Sequence, residues 1–208
     1  MTTTARIPAS RGPSGSSDMS ALDALTLLHE HRDPRDVVIT TMSPARDWMT
    51  LAHHPLDLVF VPSAMGHATS IGLGIALAQP DRRVIVCNGD GSMLMNLGSL
   101  ASIAEAAPAN LVVLVFVNGV YEVTGSQRVP AVGSRGVDFA AIARACGMAS
   151  TFTVSNIDEW RRDLDAVRGA DGPTLVQLDV TPVAGKPGPR SPGPAGERAR
   201  RFMDALAR

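Results

Sequence analysis

The run Leu111–Val117, Leu-Val-Val-Leu-Val-Phe-Val, constrains the fold of this chain more than any other stretch. An extended strand points successive side chains to opposite faces, so this one presents hydrocarbon on both and needs cover on both. Shorter apolar runs at 37–39, 58–61, 84–87, 151–154 and 174–178 have the same character. Helical patterns precede or separate them, at 22–31, 45–52, 66–78, 93–106, 139–146 and 158–167. Strands alternating with helices at this spacing predict right-handed crossovers. The expected fold is α/β, a parallel sheet of about six strands with helices on both faces.

Composition narrows what such a domain can bind. At 45% hydrophobic and 19% charged, most of the chain can bury a core. Aromatic residues are 4% of the chain, too few for a base-stacking platform. Residues 21–183 hold 11 basic against 17 acidic residues, a poor balance for gripping nucleic acid. Two cysteines, Cys87 and Cys146, make neither a disulfide framework nor a zinc set. No apolar run has the ~18 residues of a membrane span, and the start lacks the apolar core of a secretory leader. A cytoplasmic protein is expected. Residues 1–20 read as a disordered arm, 21–183 as one domain, and 184–208 as a Pro/Gly-rich basic tail. Within that tail 198–208 has the pattern of a short amphipathic helix, expected to be solvated.

In open parallel sheets ligands bind outside the carboxyl ends of the strands. Four polar or glycine-rich turns fall there, at 40–43, 62–67, 88–92 and 118–121. Gly89 and Gly91 permit a tight turn and close backbone approach to an anion, yet Asp90 between them would repel a bare phosphate. A divalent cation removes the conflict. Mg2+ favours six oxygens, typically one or two protein groups completed by phosphates and water. Asn118, 28 residues on, ends the next strand and can add an amide oxygen. A dinucleotide turn is the competing reading, but Leu94 stands at the third glycine position and Asn118 where a ribose-binding acid is wanted. Taken singly, Asp90 is also a turn former, Met65 a core filler and His67 a helix-terminal histidine without a role.

A Gly-Asp-Gly turn followed at this distance by Asn resembles the thiamine diphosphate motif. With Met65-Gly66-His67-Ala68 and Tyr121-Glu122-x-Thr124-Gly125-x-Gln127, residues 21–181 most resemble the sulfopyruvate and phosphonopyruvate decarboxylases. The resemblance implies that Asp90 and Asn118 give side-chain oxygens, and Val120 its carbonyl, to Mg2+. It implies that Gly91 and Ser92 offer N–H groups to the diphosphate and Thr41 a hydroxyl. Ser63 would offer its carbonyl to the pyrimidine amino group, and Met65 would bend the cofactor, with Ala64 and Gly89 beside it. His67, Tyr121 and Glu122 would line the reacting end. Gln127 and Arg128, with His67, are the groups placed to meet a second anion on a substrate. One departure is Val117, where the family carries the first Asn of a pair.

The resemblance also implies a missing part. The family's pyrimidine-binding domain supplies a glutamate that activates the cofactor, and none of Glu30, Glu105, Glu122, Glu159 and Glu197 has that placement. The expectation is therefore a diphosphate-binding, β-like subunit that works with an α-like partner in a two-fold hetero-oligomer. Its expected substrate is a small anionic 2-oxo acid. A split carboligase and a non-catalytic regulatory subunit remain the alternatives; intact Asp90 and Asn118 weigh against the second.

Overall fold

A computed structural model describes residues 18–60, 65–130, 136–183 and 191–208. Strands β1 (Val37–Thr41), β2 (Asp57–Phe60), β3 (Val84–Gly89), β4 (Leu111–Val117), β7 (Ser150–Val154) and β8 (Thr174–Asp179) form one sheet, ordered β2-β1-β3-β4-β8-β7. Every pairing in it is parallel. Around it run α1 (Ala21–His31), α2 (Met42–Trp48), α3 (Ala68–Ala78), α4 (Asp90–Leu94), α5 (Ser99–Ala106), α6 (Phe139–Ala145), α7 (Ile157–Gly169) and α8 (Ala195–Leu206). The expected class, strand count and two-faced cover are all present.

Alternation along β4 divides the core. Val112, Leu114 and Phe116 face α1, α2 and α7, where Trp48, Trp160 and Leu164 pack. Leu111, Val113 and Val115 face the other layer, with Leu100, Ile103 and Phe139 from α5 and α6. Burying each such side chain contributes about 1.5–3 kcal/mol, so a strand apolar on both faces belongs at the centre of the sheet. Helix α3 lies close against the sheet: a Cβ built on Gly72 would lie 2.3 Å from Val86 of β3. Only glycine permits that approach.

The structure differs from the expectation in four places. Residues 1–17 lie outside the described part, but 18–20 are no disordered arm: Met19 is buried, its carbonyl accepts Thr181 N–H at 2.9 Å, and Ser20 caps α1 in a capping box with Asp23. The helix expected over 93–106 is two, α4 and α5, parted at residues 95–98 around Asn96. A small antiparallel pair, β5 (Val120–Tyr121) with β6 (Gln127–Arg128), was not expected. Residues 184–190 lie outside the described part, and beyond them α8 forms but is not a free tail. Its Phe202 is 5% exposed within the second core layer, and Arg198 Nη1 donates to Val59 O on edge strand β2. No helix among the described residues is long and apolar enough to cross a membrane.

Phe202→Ala should therefore cost about 3 kcal/mol of unfolding free energy in urea titration, the usual loss for a buried phenyl group. An unchanged midpoint would mean that α8 is solvated after all.

Candidate active site

The strand order reverses between β2 and β3, which lie on opposite sides of β1. Chain leaving β1 and chain leaving β3 diverge there and open a crevice at the carboxyl ends. A cleft of about 300 Å³ occupies it. Met42, Ser43 and Pro44 after β1, Gly89 to Ser92 after β3, and Asn118, Val120, Tyr121 and Glu122 after β4 line it. Met65 reaches it from the turn ahead of α3. A larger cavity, about 400 Å³, lies between α2, β2 and α8, but its wall includes none of these strand-end turns.

Asp90 is the centre of the cleft. It follows the last residue of β3 directly, so strand passes to helix without a loop. Its side chain is buried, with Oδ1 accepting Gly91 N–H at 2.7 Å and Oδ2 accepting Gly119 N–H at 2.8 Å. One carboxylate thus ties the turn after β3 to the turn after β4. Burial pushes its pKa from 3.8 up to about 6, against the opposing pull of the Gly119, Gly91 and Asn118 amides; the Glu122 charge adds to the rise. Asn118 Oδ1 accepts Val120 N–H at 3.0 Å, which curls the second turn back on itself.

The walls are closely fitted. A Cβ on Gly91 would stand 2.3 Å from the Tyr121 ring, so the phenol lies directly over the glycine turn. Glu122 Oε1 accepts Val183 N–H at 2.7 Å, while its buried Oε2 has no hydrogen-bond partner. Met42 holds a left-handed φ of 58° at the entrance to α2, a sparsely occupied conformation for a side chain of this size.

Several expected residues stand elsewhere. Ser63 and Ala64 lie outside the described residues. Thr41 is buried one position behind the wall, its hydroxyl unpartnered. His67 is exposed and its Nδ1 meets Met65 O at 2.9 Å instead of lining the cleft. Gln127 is tied to Thr124 inside the β5–β6 hairpin, and exposed Arg128 pairs with Val120 across it; neither lines the cleft. Gly91 N–H is held by Asp90 and would have to change acceptor to reach a phosphate. Asn96 was missed. It grips the carbonyl of Gly66 at 2.6 Å, and the sequence signal for it was Asn-Leu-Gly interrupting a helical pattern.

No described residue lining the cleft is Lys, Arg or His, whereas Asp90 and Glu122 both do. Nor do any three His, Cys, Asp or Glu among the described residues cluster as a metal nest. Among the described lining residues, an anion would meet two carboxylates and no side-chain cation unless a metal ion came with it. The donor set, one carboxylate, one amide oxygen and backbone groups beside glycine, fits Mg2+ with a diphosphate.

Fold and cleft together define an α/β protein of the kind that holds a phosphorylated ligand at a topological switch point. Residues 40–178 match the model for the C-terminal TPP binding domain of thiamine pyrophosphate enzymes, and the chain belongs to that family. It is 40% identical to phosphonopyruvate decarboxylase of Streptomyces hygroscopicus over 171 residues, 82% of this chain and 41% of that protein. It is 37% identical to sulfopyruvate decarboxylase subunit beta of Methanothermobacter thermautotrophicus over 141 residues, 67% of this chain and 70% of that subunit. The chain thus spans about two fifths of the Streptomyces decarboxylase. In fold it resembles a Mycobacterium smegmatis protein described as belonging to the thiamin diphosphate-dependent enzymes, at TM-score 0.68 and 23% identity, covering 81% of this chain and 33% of that one. The dinucleotide alternative falls away with the family match, and α4 ends at Leu94, where it needed glycine.

The raised pKa of Asp90 fixes the sign of a pH effect. An acid with a higher pKa folded than unfolded stabilises the fold when protonated, and that stability is lost as pH rises from about 4 to about 6. The cation-free unfolding free energy of the wild type, relative to Asp90→Asn, should therefore shift in the wild type's favour by about 2–3 kcal/mol from pH 7 to pH 4. A difference independent of pH would show that Asp90 is not desolvated.

Proposed function

We propose that this chain is the diphosphate-binding, β-like subunit of a two-chain thiamine diphosphate- and Mg2+-dependent decarboxylase of small anionic 2-oxo acids. The observation that carries this is the buried Asp90 in a cleft whose described lining holds no side-chain cation. Asp90, Asn118 and the Val120 carbonyl would hold Mg2+, and Ser92 and the Gly89–Gly91 backbone the diphosphate. Met65 would support the ring system and Tyr121 would cover the glycine turn. When bound, the cofactor supplies an electron sink for the carbon–carbon bond that breaks. The chain's own residues would bind and orient: Tyr121 and Phe116 would exclude water, and Glu122 projects a carboxylate beside the metal loop.

A partner follows from what the cleft lacks. Glu122 is the one glutamate lining it among the described residues, and one of its oxygens is held by Val183. Met65, Met95 and Val123 at the mouth are 43%, 51% and 39% exposed, and Leu22, beside cleft-lining Ala21, is 40% exposed. Such a rim suits a pyrimidine-binding, α-like chain that closes over the cofactor and brings the activating glutamate. Pairing of this kind leads to a two-fold hetero-oligomer. The relative named as a subunit beta supports a separate partner chain. The second anion of a sulfonated or phosphonated substrate would also be met by that chain, since His67, Gln127 and Arg128 do not line the cleft. We take residues 21–183, with Met19, Ser20 and the docked α8, as the cofactor-binding unit and place the assembly in the cytoplasm, on the strength of two free thiols at Cys87 and Cys146.

Mixed with its partner, Mg2+ and thiamine diphosphate, the chain should convert a dianionic 2-oxo acid to an aldehyde faster than it converts pyruvate. The chain alone should be silent, and Asp90→Ala should abolish turnover. Equal turnover of pyruvate would remove the substrate assignment, an acyloin product would point to a carboligase, and steady turnover without a partner would remove the two-chain reading.

A further inference from the structure

We propose that Ser92 and Asn96 form a latch through which occupancy of the diphosphate turn fixes the position of Met65. The inference rests on the cofactor reading above and concerns how two turns of that site are joined. Both backbone polar groups of Gly66 are taken by side chains from the 92–96 segment. Gly66 N–H donates to Ser92 Oγ at 3.0 Å, and Asn96 Nδ2 donates to Gly66 O at 2.6 Å. The same amide lies 3.3 Å from Ser70 Oγ, and Ser99 Oγ meets Thr69 Oγ1 at 2.9 Å in the interior. The start of α3 is therefore tied to the 92–99 segment at Gly66, Thr69 and Ser70.

The backbone is shaped for this contact. Gly66 has φ +76°, and a Cβ there would lie 3.1 Å from the Asn96 Cβ, so the two segments touch where a side chain would part them. Asn96 sits in the break between α4 and α5, which is closed by local bonds: the Asn96 carbonyl accepts both Ser99 N–H at 3.1 Å and Ser99 Oγ–H at 2.7 Å. Splitting the helix turns the Asn96 amide toward Gly66.

Ser92 makes the latch responsive. Its oxygen accepts from Gly66, which leaves the hydroxyl proton for an acceptor in the cleft that Ser92 lines. A diphosphate oxygen taking that proton would strengthen the Ser92–Gly66 bond by polarisation, as in any chain of hydrogen bonds. Met65, one residue before Gly66, is 43% exposed and has little packing of its own to hold it. The latch supplies what packing does not. Ser92 and Asn96 act here as positioning residues for Met65.

Hydrogen exchange read by mass spectrometry over residues 65–70 tests this in the full chain, with Mg2+ and inorganic pyrophosphate as the probe. In the wild type the probe should slow exchange of that segment by about tenfold. Asn96→Ala, and Asn96→Asp, which keeps the shape but loses the donor, leave the Ser92–Gly66 bond in place; they should bind the probe within about threefold of wild type yet show clearly less added protection. In the assembled enzyme Asn96→Asp should lower kcat with the cofactor KM unchanged. Wild-type protection in both variants would overturn the latch while leaving the cofactor reading intact. Failure of the wild type to bind the probe in a calorimeter would overturn both.

Discussion

The contact on which the site depends is the Asp90 carboxylate between two backbone amides. Gly91 and Gly119 belong to turns after different strands, and Asp90 is the group that both address. Burial makes this arrangement costly while the charge is uncompensated, which is why its pKa stands near 6. In the proposed function a cation would restore the charged form and give the diphosphate a counter-charge that no described lining side chain offers. Ion and anion would then be coupled by electrostatics.

Everything else positions that carboxylate and its surroundings. The all-apolar β4 sits at the centre of the sheet and delivers Asn118 beside the end of β3. Gly72 lets α3 lie against β3, which brings the Met65 turn within reach of Ser92 and Asn96. Tyr121 can lie over the turn only because residue 91 is glycine. Core packing and site geometry are here one problem, since close approaches at glycine carry both.

The sheet was legible in sequence because two-sided burial writes itself as unbroken apolar runs, and each of the six runs became a strand. The cleft was legible through Asp90 and Asn118, which the structure places together in the turns after β3 and β4. What escaped was decided by tertiary contact. Asn96 looked like a helix-interior residue because propensity barely registers a break stabilised by bonds to Gly66 and Ser99. His67 was read into the site from the resemblance of the Met65-Gly66-His67-Ala68 run, but its ring meets the Met65 carbonyl and does not line the cleft. Gln127 and Arg128 were spent on a two-residue hairpin too short to leave a periodic signal. Phe202 alone gave little notice that α8 would dock, because one buried phenyl among arginines reads as a surface helix.

The central claim is that this cleft holds thiamine diphosphate through Mg2+. Calorimetric titration of thiamine diphosphate into the full chain, with Mg2+ and then with EDTA, addresses it directly. Saturable binding at one site per chain is expected with Mg2+, lost in EDTA and lost in Asp90→Ala. Binding of equal strength in EDTA, or undiminished binding to the Asp90→Ala chain, would contradict it.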